Sequence, residues 1–418
     1  MRLNVAVIAG MLIAIAAHTV AHAQPVADED RDPILYATAP VSDPVARLQR
    51  KLDSNSARLE WDESHGYLPS LLAALDIDPA SQSLVFSKTS FQQKLISPSR
   101  PRAIYFNDSV YIGWVQSGSV MEIASMDPQQ GTIYYTLDQR QTPKPKFDRQ
   151  LDNCRICHSG SMADNIPGLM VRSVYANRVG EAFLRQKSFI TDHSSPLSQR
   201  FGGWYVTGNS GSQNHMGNLM VGSESAINRA DLSLGTNVDD LSRFPVNIDA
   251  YLVNTSDIVA QMTLDHQVRG HNLLVRANWD VRKAIARGKL DESAIREAVE
   301  PLVMYLLFAS ETPLTSPIVG SPDFAAHFTA RGPRDPQGRS LREFDLQTHM
   351  MKYPLSWLIY SDEFDSLPEP AMQYLSNRLR EILTDNAPPK EFKFLTPQTR
   401  QAIIEIVKAT KPQLAKSW

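Results

Sequence analysis

Two cysteines and a histidine stand together in this chain as Cys154, Cys157 and His158, in the pattern C-x-x-C-H. Two thiols with this spacing lie on one helical turn, from which each can add to a vinyl group of a porphyrin. The adjacent histidine then presents an imidazole nitrogen to the iron. Because the chain has no further cysteine, the motif predicts one covalently attached haem c, with His158 as an iron ligand and no disulfide-linked partner.

Two other uses of a C-x-x-C pair are open at this point. A structural zinc site takes four ligands, whereas this chain supplies one cysteine pair, and no H-x(3–5)-H unit follows it at the distance found in zinc fingers. A thioredoxin-like dithiol is expected within a βαβ unit, whereas polar Asp152 and Asn153 precede the motif and Ser159 follows it. Haem attachment is therefore the favoured interpretation.

The N-terminus has the features of a bacterial export signal. Arg2 precedes an almost continuously apolar stretch, and an A-x-A cleavage site ends at Ala23. The stretch is shorter than the ~20 residues that a membrane-spanning helix needs. We therefore expect residues 1–23 to be a signal peptide, with mature Gln24 in the periplasm, where haem is attached to such motifs. An uncleaved N-terminal anchor is the alternative.

Composition bounds the partners of the protein. The 418 residues carry a formal net charge of −3, and 42% of them are hydrophobic. This near-neutral balance argues against nucleic acid as a partner. The haem motif instead predicts redox partner proteins. The chain is also long enough for two or three packed regions, which is more than one haem requires.

Short segments rich in β-branched and aromatic residues precede the motif. They are separated by turn-forming residues and predict four antiparallel strands, over residues 103–106, 110–115, 120–124 and 132–137. Helical patterns dominate after about residue 255. The sequence thus predicts an α+β fold, with an antiparallel β meander before the haem motif and a mainly helical C-terminal half.

The predicted organisation has five parts, in which the haem motif falls near the middle. They are a signal peptide (1–23), a flexible N-terminal tail (24–42), helices plus an antiparallel sheet (43–146), a haem-binding region (147–245) and a helical C-terminal region (246–418). In the last part, Ser256 is a candidate cap for a long helix that stops at Gly288. Residues 311–345, rich in proline, glycine and charge, predict a long loop or a domain junction.

The second axial ligand is sought in residues 202–218, a stretch rich in glycine and asparagine. Glycine lets the backbone approach a flat ligand closely. His215 and Met216 stand side by side there, and only one can face the iron because neighbours in an extended chain point to opposite sides. We favour His215, since methionine packs readily in apolar surroundings. His193 and His266 are further candidates, and an open sixth position is the remaining possibility.

Other groups near the motif in sequence are candidate supports for the haem. Arginine matches the propionate carboxylates, and the tip of tryptophan can donate a hydrogen bond to them. The candidates are Arg172, Arg200 and Trp204. The pair Pro167-Gly168 either ends a loop or returns a backbone carbonyl to the second imidazole nitrogen of His158, which would fix the tautomer and orientation of the ring.

With its signal peptide, the motif resembles those of the c-type cytochrome superfamily, over residues 152–159. Further segments are similar to a group of bacterial single-haem c-type cytochromes with large regions outside the haem site. These segments are residues 105–114, 131–139, 167–175, 202–218, 256–276 and 339–367. The resemblance implies haem binding and electron transfer and nothing sharper. Bacterial di-haem peroxidases are of similar size, but they need two C-x-x-C-H motifs.

These observations predict a periplasmic monohaem c-type cytochrome that passes single electrons between partner proteins. The alternative is a haem enzyme, or a gas or redox sensor, with an open or displaceable sixth iron site. There His215 or His266 would act as a distal acid–base group, and the length of the chain beyond a minimal cytochrome favours this alternative. An electron carrier is the first expectation, and the sequence assigns no catalytic residue.

Overall fold

The computed structural model describes residues 27–416 and 418, so the predicted signal peptide lies outside the described residues. Helices dominate the C-terminal half, and three others precede it. In chain order, the described helices are α1 (Pro44–Asp53), α2 (Leu68–Ala74), α3 (Arg155–His158), α4 (Ile258–Ala286), α5 (Glu292–Leu306), α6 (Pro322–Ala330), α7 (Asp362–Asp365), α8 (Glu369–Thr384) and α9 (Pro397–Thr410).

An antiparallel sheet precedes the motif, as predicted. Its six strands pair in chain order, each with the next. They are β1 (Ser83–Val85), β2 (Arg102–Phe106), β3 (Val110–Trp114), β4 (Val120–Asp127), β5 (Gly131–Asp138) and β6 (Phe147–Arg149), and a separate pair joins β7 (Val171–Ser173) to β8 (Phe189–Thr191). The α+β prediction is confirmed. The sheet has six strands rather than the predicted four, because the short strands β1 and β6 are added at its edges.

Strand β5 brings the N-terminal helix and the C-x-x-C-H motif to opposite faces of the sheet, because successive side chains of a strand point to opposite sides. The hydroxyl of Tyr135 donates to Asp43, which caps α1. The hydroxyl of the preceding residue, Tyr134, donates to the carbonyl of Gly168 beyond the motif. The sheet is therefore the platform against which the motif is placed.

Helix α4 runs through the centre of the C-terminal half, and most of its 29 residues are buried. It contacts α5, α6, α7 and α8, and it also reaches β5 and β7 on either side of the motif. Its N-cap is Asp257, whose side chain accepts from the backbone N–H of Ala260. The predicted cap, Ser256, instead donates to the carbonyl of Tyr205 and accepts from the N–H of Leu84. Ser256 thus ties the helix start to β1.

The segment predicted as a flexible tail differs from that expectation where the structure describes it. Ile34 and Tyr36 are fully buried in the main hydrophobic cluster. The Tyr36 hydroxyl donates to the carbonyl of Thr132 at 2.6 Å. A polar composition around two apolar side chains hid this docking of the segment onto β5.

The predicted loop over residues 311–345 contains helix α6, which the sequence analysis missed. Ser321 and Pro322 start the helix, and Phe324 and Phe328 bury its inner face. Neighbouring prolines and glycines outweighed this short apolar pattern in the prediction. Within the described part of the chain, no helix combines the length and apolar character needed to cross a bilayer.

Candidate haem site

The motif forms a single helical turn, α3, in which the two thiols differ in exposure. Cys157 is exposed and Cys154 is half-buried. Between them, the side chain of Ile156 is 81% exposed. Burial raises the pKa of the Cys154 thiol to about 11, with a further contribution from the charge of Glu122. Both thiols are free in the structure, and one turn of backbone fixes their separation.

His158, the predicted iron ligand, is joined to Gly168 by two hydrogen bonds. The backbone N–H of Gly168 donates to the carbonyl of His158 at 2.9 Å. The Nδ1 atom of His158 lies 3.0 Å from the carbonyl oxygen of Gly168. A carbonyl only accepts, so Nδ1 carries the proton of this bond, and the neutral ring has its lone pair on Nε2. Burial lowers the pKa of His158 and thereby favours that neutral form. This is the tautomer that an iron ligand requires.

Helix α4 holds the backbone just after Gly168. The side-chain amide of Asn272 accepts from the N–H of Leu169 at 3.0 Å and donates to its carbonyl at 2.8 Å. Earlier in the same loop, Asp164 forms an ion pair with Arg269 at 3.2 Å. The loop that carries the Gly168 carbonyl is therefore fixed to a rigid element rather than free at the surface.

The turn is also tied to the first described residues. Arg155 forms ion pairs with Glu29 at 2.7 Å and Asp30 at 2.9 Å, and its guanidinium lies over the ring of Tyr36. These contacts are half-buried, which screens them less than surface pairs. These contacts hold the motif through residues that precede it in the chain, whereas α4 follows it.

An ion pair on the sheet acts electrostatically on the motif. Arg102 and Glu122 pair at 3.2 Å across the sheet, and both charges act on the pKa of His158. Glu122 accepts hydrogen bonds from Ser90 and Gln92. Phe91 lies between those two residues and is 71% exposed.

The residues present fit a covalently bound haem. Cys154 and Cys157 offer two thiols on one turn, and His158 offers an Nε2 lone pair held in place by its second nitrogen. Porphyrin is large and apolar, and Ile156, which lies between the two cysteines, supplies exposed apolar surface within the motif. The donor set and its orientation thus agree with haem attachment.

Among the predicted propionate anchors, Arg172 lies in β7, three residues after Leu169, and burial lowers the pKa of its guanidinium. Its Nε atom donates to Ser188 at 2.9 Å. Trp204 donates its indole N–H to the backbone carbonyl of Arg172 at 3.0 Å and so supports β7. Arg200 is buried elsewhere, where it donates to backbone carbonyls and forms an ion pair with Asp265 at 3.7 Å.

His215 and Met216, the adjacent candidates for the sixth ligand, are both buried. The Nδ1 atom of His215 accepts from the N–H of Gly217 at 3.1 Å, so the proton of the neutral ring is on Nε2. Burial lowers the pKa of His215 to about 4. The sulfur of Met216 accepts from the hydroxyl of Ser173 at 3.6 Å. Each candidate is thus engaged within the loop or with β7.

The remaining candidates, His193 and His266, bind each other. Their Nδ1 atoms are 2.7 Å apart, and Nε2 of His266 lies 2.8 Å from the hydroxyl of Ser356. Both rings are buried and stack against Tyr305. Burial lowers the pKa of His193 to about 3, and the positive charge of Arg200 contributes. This pair is a packed, neutral part of the core.

Two residues that act on the motif were missed by the sequence analysis. Tyr134 and Asn272 approach Gly168 and Leu169 from positions 34 and 103 residues away. An aromatic residue in a strand and an asparagine in a helix carry no local signal of such a role. Only the packing of β5 and α4 around the motif brings them there.

Comparison with known proteins gave no match to a family, to a curated protein or to a solved structure. The resemblance to c-type cytochromes therefore stays a prediction that rests on the motif and its surroundings.

Proposed function

We propose that this protein is a periplasmic monohaem c-type cytochrome that transfers single electrons between partner proteins. The observation that carries the proposal is the hydrogen bond from Nδ1 of His158 to the carbonyl of Gly168, one turn from two free thiols. That bond leaves Nε2 as the basic nitrogen, which is how proteins prepare a histidine to ligate a metal. Zinc and dithiol chemistry have no comparable support from the surroundings of the motif.

Each residue has a defined part in this proposal. Cys154 and Cys157 form the two thioether bonds, and His158 supplies the proximal nitrogen. When bound, haem c supplies a one-electron iron couple. Gly168 orients the imidazole, and Asn272 immobilises the backbone beside that carbonyl. Of the predicted anchors, we assign Arg172 to a propionate, because it lies in β7 just after the loop that carries Gly168.

Acid–acetone extraction of protein from a host that matures haem c tests the proposal. Thioether bonds survive denaturation, so haem should stay with the polypeptide and stain it on a denaturing gel. Haem that is lost on extraction, or a chain that is never loaded in such a host, would contradict the proposal.

A second candidate function is a haem enzyme, or a gas or redox sensor, with an open sixth site. The observation that favours it is the hydrogen bond that His215 accepts through Nδ1, which keeps the proton on Nε2. Ligation through Nε2 would require His215 to change tautomer and give up that bond. Optical spectra of the reduced protein with and without carbon monoxide separate the two functions, because an open iron site binds the gas.

Location is part of the proposal. Cleavage after Ala23 would leave Gln24 as the mature N-terminus of a periplasmic protein. Mass spectrometry of the periplasmic fraction should find that mature chain with its haem. A membrane-bound chain that retains residues 1–23 would favour the N-terminal anchor instead.

A further inference from the structure

The carbonyl oxygen of Gly168 receives two hydrogen bonds. One comes from Nδ1–H of His158 at 3.0 Å, and the other comes from the hydroxyl of Tyr134 at 2.7 Å. A carbonyl oxygen has two lone pairs and can accept both. The two donors nevertheless share one electron-rich atom, so each draws on the density that the other uses.

Strand β5 fixes Tyr134 in this position. The residue is buried, and its register partner on β4 is Ala124. Its backbone carbonyl accepts from the N–H of Gln150 at 2.8 Å. Burial raises the pKa of Tyr134 well above its usual value, so the hydroxyl keeps its proton and remains a donor. The rings of Tyr134 and His158 lie 5.4 Å apart between centroids.

We propose that Tyr134 is a positioning residue that acts through Gly168 to set how strongly His158 donates to iron. This inference rests on the proposed function. A strong acceptor at Nδ1–H makes the imidazole more basic, and a more basic ligand stabilises the ferric state. The Tyr134 hydroxyl weakens that acceptor because it occupies the same oxygen. Tyr134 therefore holds the reduction potential higher than the His158–Gly168 bond alone would set it.

Tyr134→Phe tests this inference because it removes the hydroxyl and leaves Gly168 bonded to His158. The reduction potential should fall by up to ~59 mV for one electron. The ratio of oxidised to reduced protein at a fixed solution potential should therefore rise about two- to tenfold. In the reduced protein, the proton on Nδ1 of His158 should move downfield in the NMR spectrum, since its hydrogen bond is stronger.

Tyr135→Phe is the matched control. It removes a buried hydroxyl from the next position of β5, on the opposite face, where Tyr135 donates to Asp43 at 2.7 Å. This variant should leave the potential and the Nδ1 proton unchanged. Equal shifts in both variants would overturn the inference, because they would show a general effect of losing a hydroxyl from the strand.

The test separates this inference from the function beneath it. Wild-type protein without covalent haem would defeat the proposed function itself. Haem-loaded Tyr134→Phe with an unchanged or raised potential would overturn the role of Tyr134 and leave the function standing. If Tyr134→Phe does not accumulate, 3-fluorotyrosine at position 134 replaces it. This stronger donor should raise the potential, and a lowered potential would contradict the inference.

Discussion

The turn at His158 and the loop at His215 both hold a neutral imidazole beside backbone, but they use Nδ1 in opposite ways. At His158, Nδ1 donates to the carbonyl of Gly168 and leaves a lone pair on Nε2. At His215, Nδ1 accepts from the N–H of Gly217 and leaves a proton on Nε2. The difference teaches that residue type alone does not identify a ligand. The hydrogen-bond partner of one ring nitrogen decides whether the other nitrogen can bind a metal.

Loss of both thiols should have the largest effect, because it tests whether the turn that carries His158 is the site of haem attachment. In Cys154→Ala/Cys157→Ala, neither thioether can form, so haem staining on a denaturing gel should disappear completely. Ile156→Ala is the control, because this exposed side chain lies between the thiols and makes no bond to haem. Haem that stays attached in the double variant would show that the motif is not the attachment site.

Acid should test the other side of the comparison, because the stability of the protein at low pH depends on the protonation of His215. Burial lowers the pKa of His215 from 6.5 to about 4, so the folded state favours the neutral ring. Its stabilising contribution is complete above pH 6.5 and is lost as the pH falls towards 4, at up to ~1.4 kcal/mol per pH unit and about 3 kcal/mol in total.

His215→Gln removes this titration and keeps an oxygen that can accept from Gly217. Urea unfolding at several pH values should therefore give a shallower pH dependence for this variant than for wild type. Parallel curves would show that His215 titrates normally in the folded protein.

Gly168→Ala should disturb the proximal side through sterics. An added Cβ would lie 2.5 Å from Oδ1 of Asn272 and 3.2 Å from the carbonyl of Ala163. Overpacking of this kind costs about 1–3 kcal/mol, so the urea midpoint should fall. Gly160→Ala is the control, since nothing lies within 4 Å of its added Cβ. Equal midpoints for the two variants would mean that the contact around Gly168 yields easily.

The smallest expected effect is on the haem spectrum of His215→Ala. Because Nδ1 of His215 is held by Gly217, we expect the spin state and carbon monoxide binding of this variant to match wild type. Met216→Leu, which removes the sulfur at similar volume, should match as well. A change from low spin to high spin in His215→Ala would instead identify His215 as the sixth ligand and favour the electron carrier with two axial histidines.

Prediction from sequence succeeded where the signal is local. The strands before the motif and the C-x-x-C-H turn both depend on neighbouring residues. It failed where distant contacts decide the outcome. Tyr36 docks onto β5 from a polar segment, and α6 forms between prolines and glycines because Phe324 and its neighbours reach the core.

The site shows the same division. His158 and the Gly168 carbonyl are ten residues apart, within the reach of a loop, and the sequence suggested their contact. The second donor to that carbonyl is Tyr134 on β5, and the side chain that holds the Leu169 backbone is Asn272 on α4. No spacing rule relates these positions, because they meet only after the sheet and helix have packed.

The two hydrogen bonds between the Asn272 side chain and the Leu169 backbone have a consequence for the order in which the fold forms during synthesis. They join residues 103 positions apart, whereas the Arg155 contacts reach back 126 positions to Glu29. A chain emerging from its N-terminus therefore completes the motif well before it completes α4. During that interval the loop after His158 lacks its final anchor. Formation of α4 then fixes the backbone beside the Gly168 carbonyl, so this part of the fold is completed late in the order of synthesis.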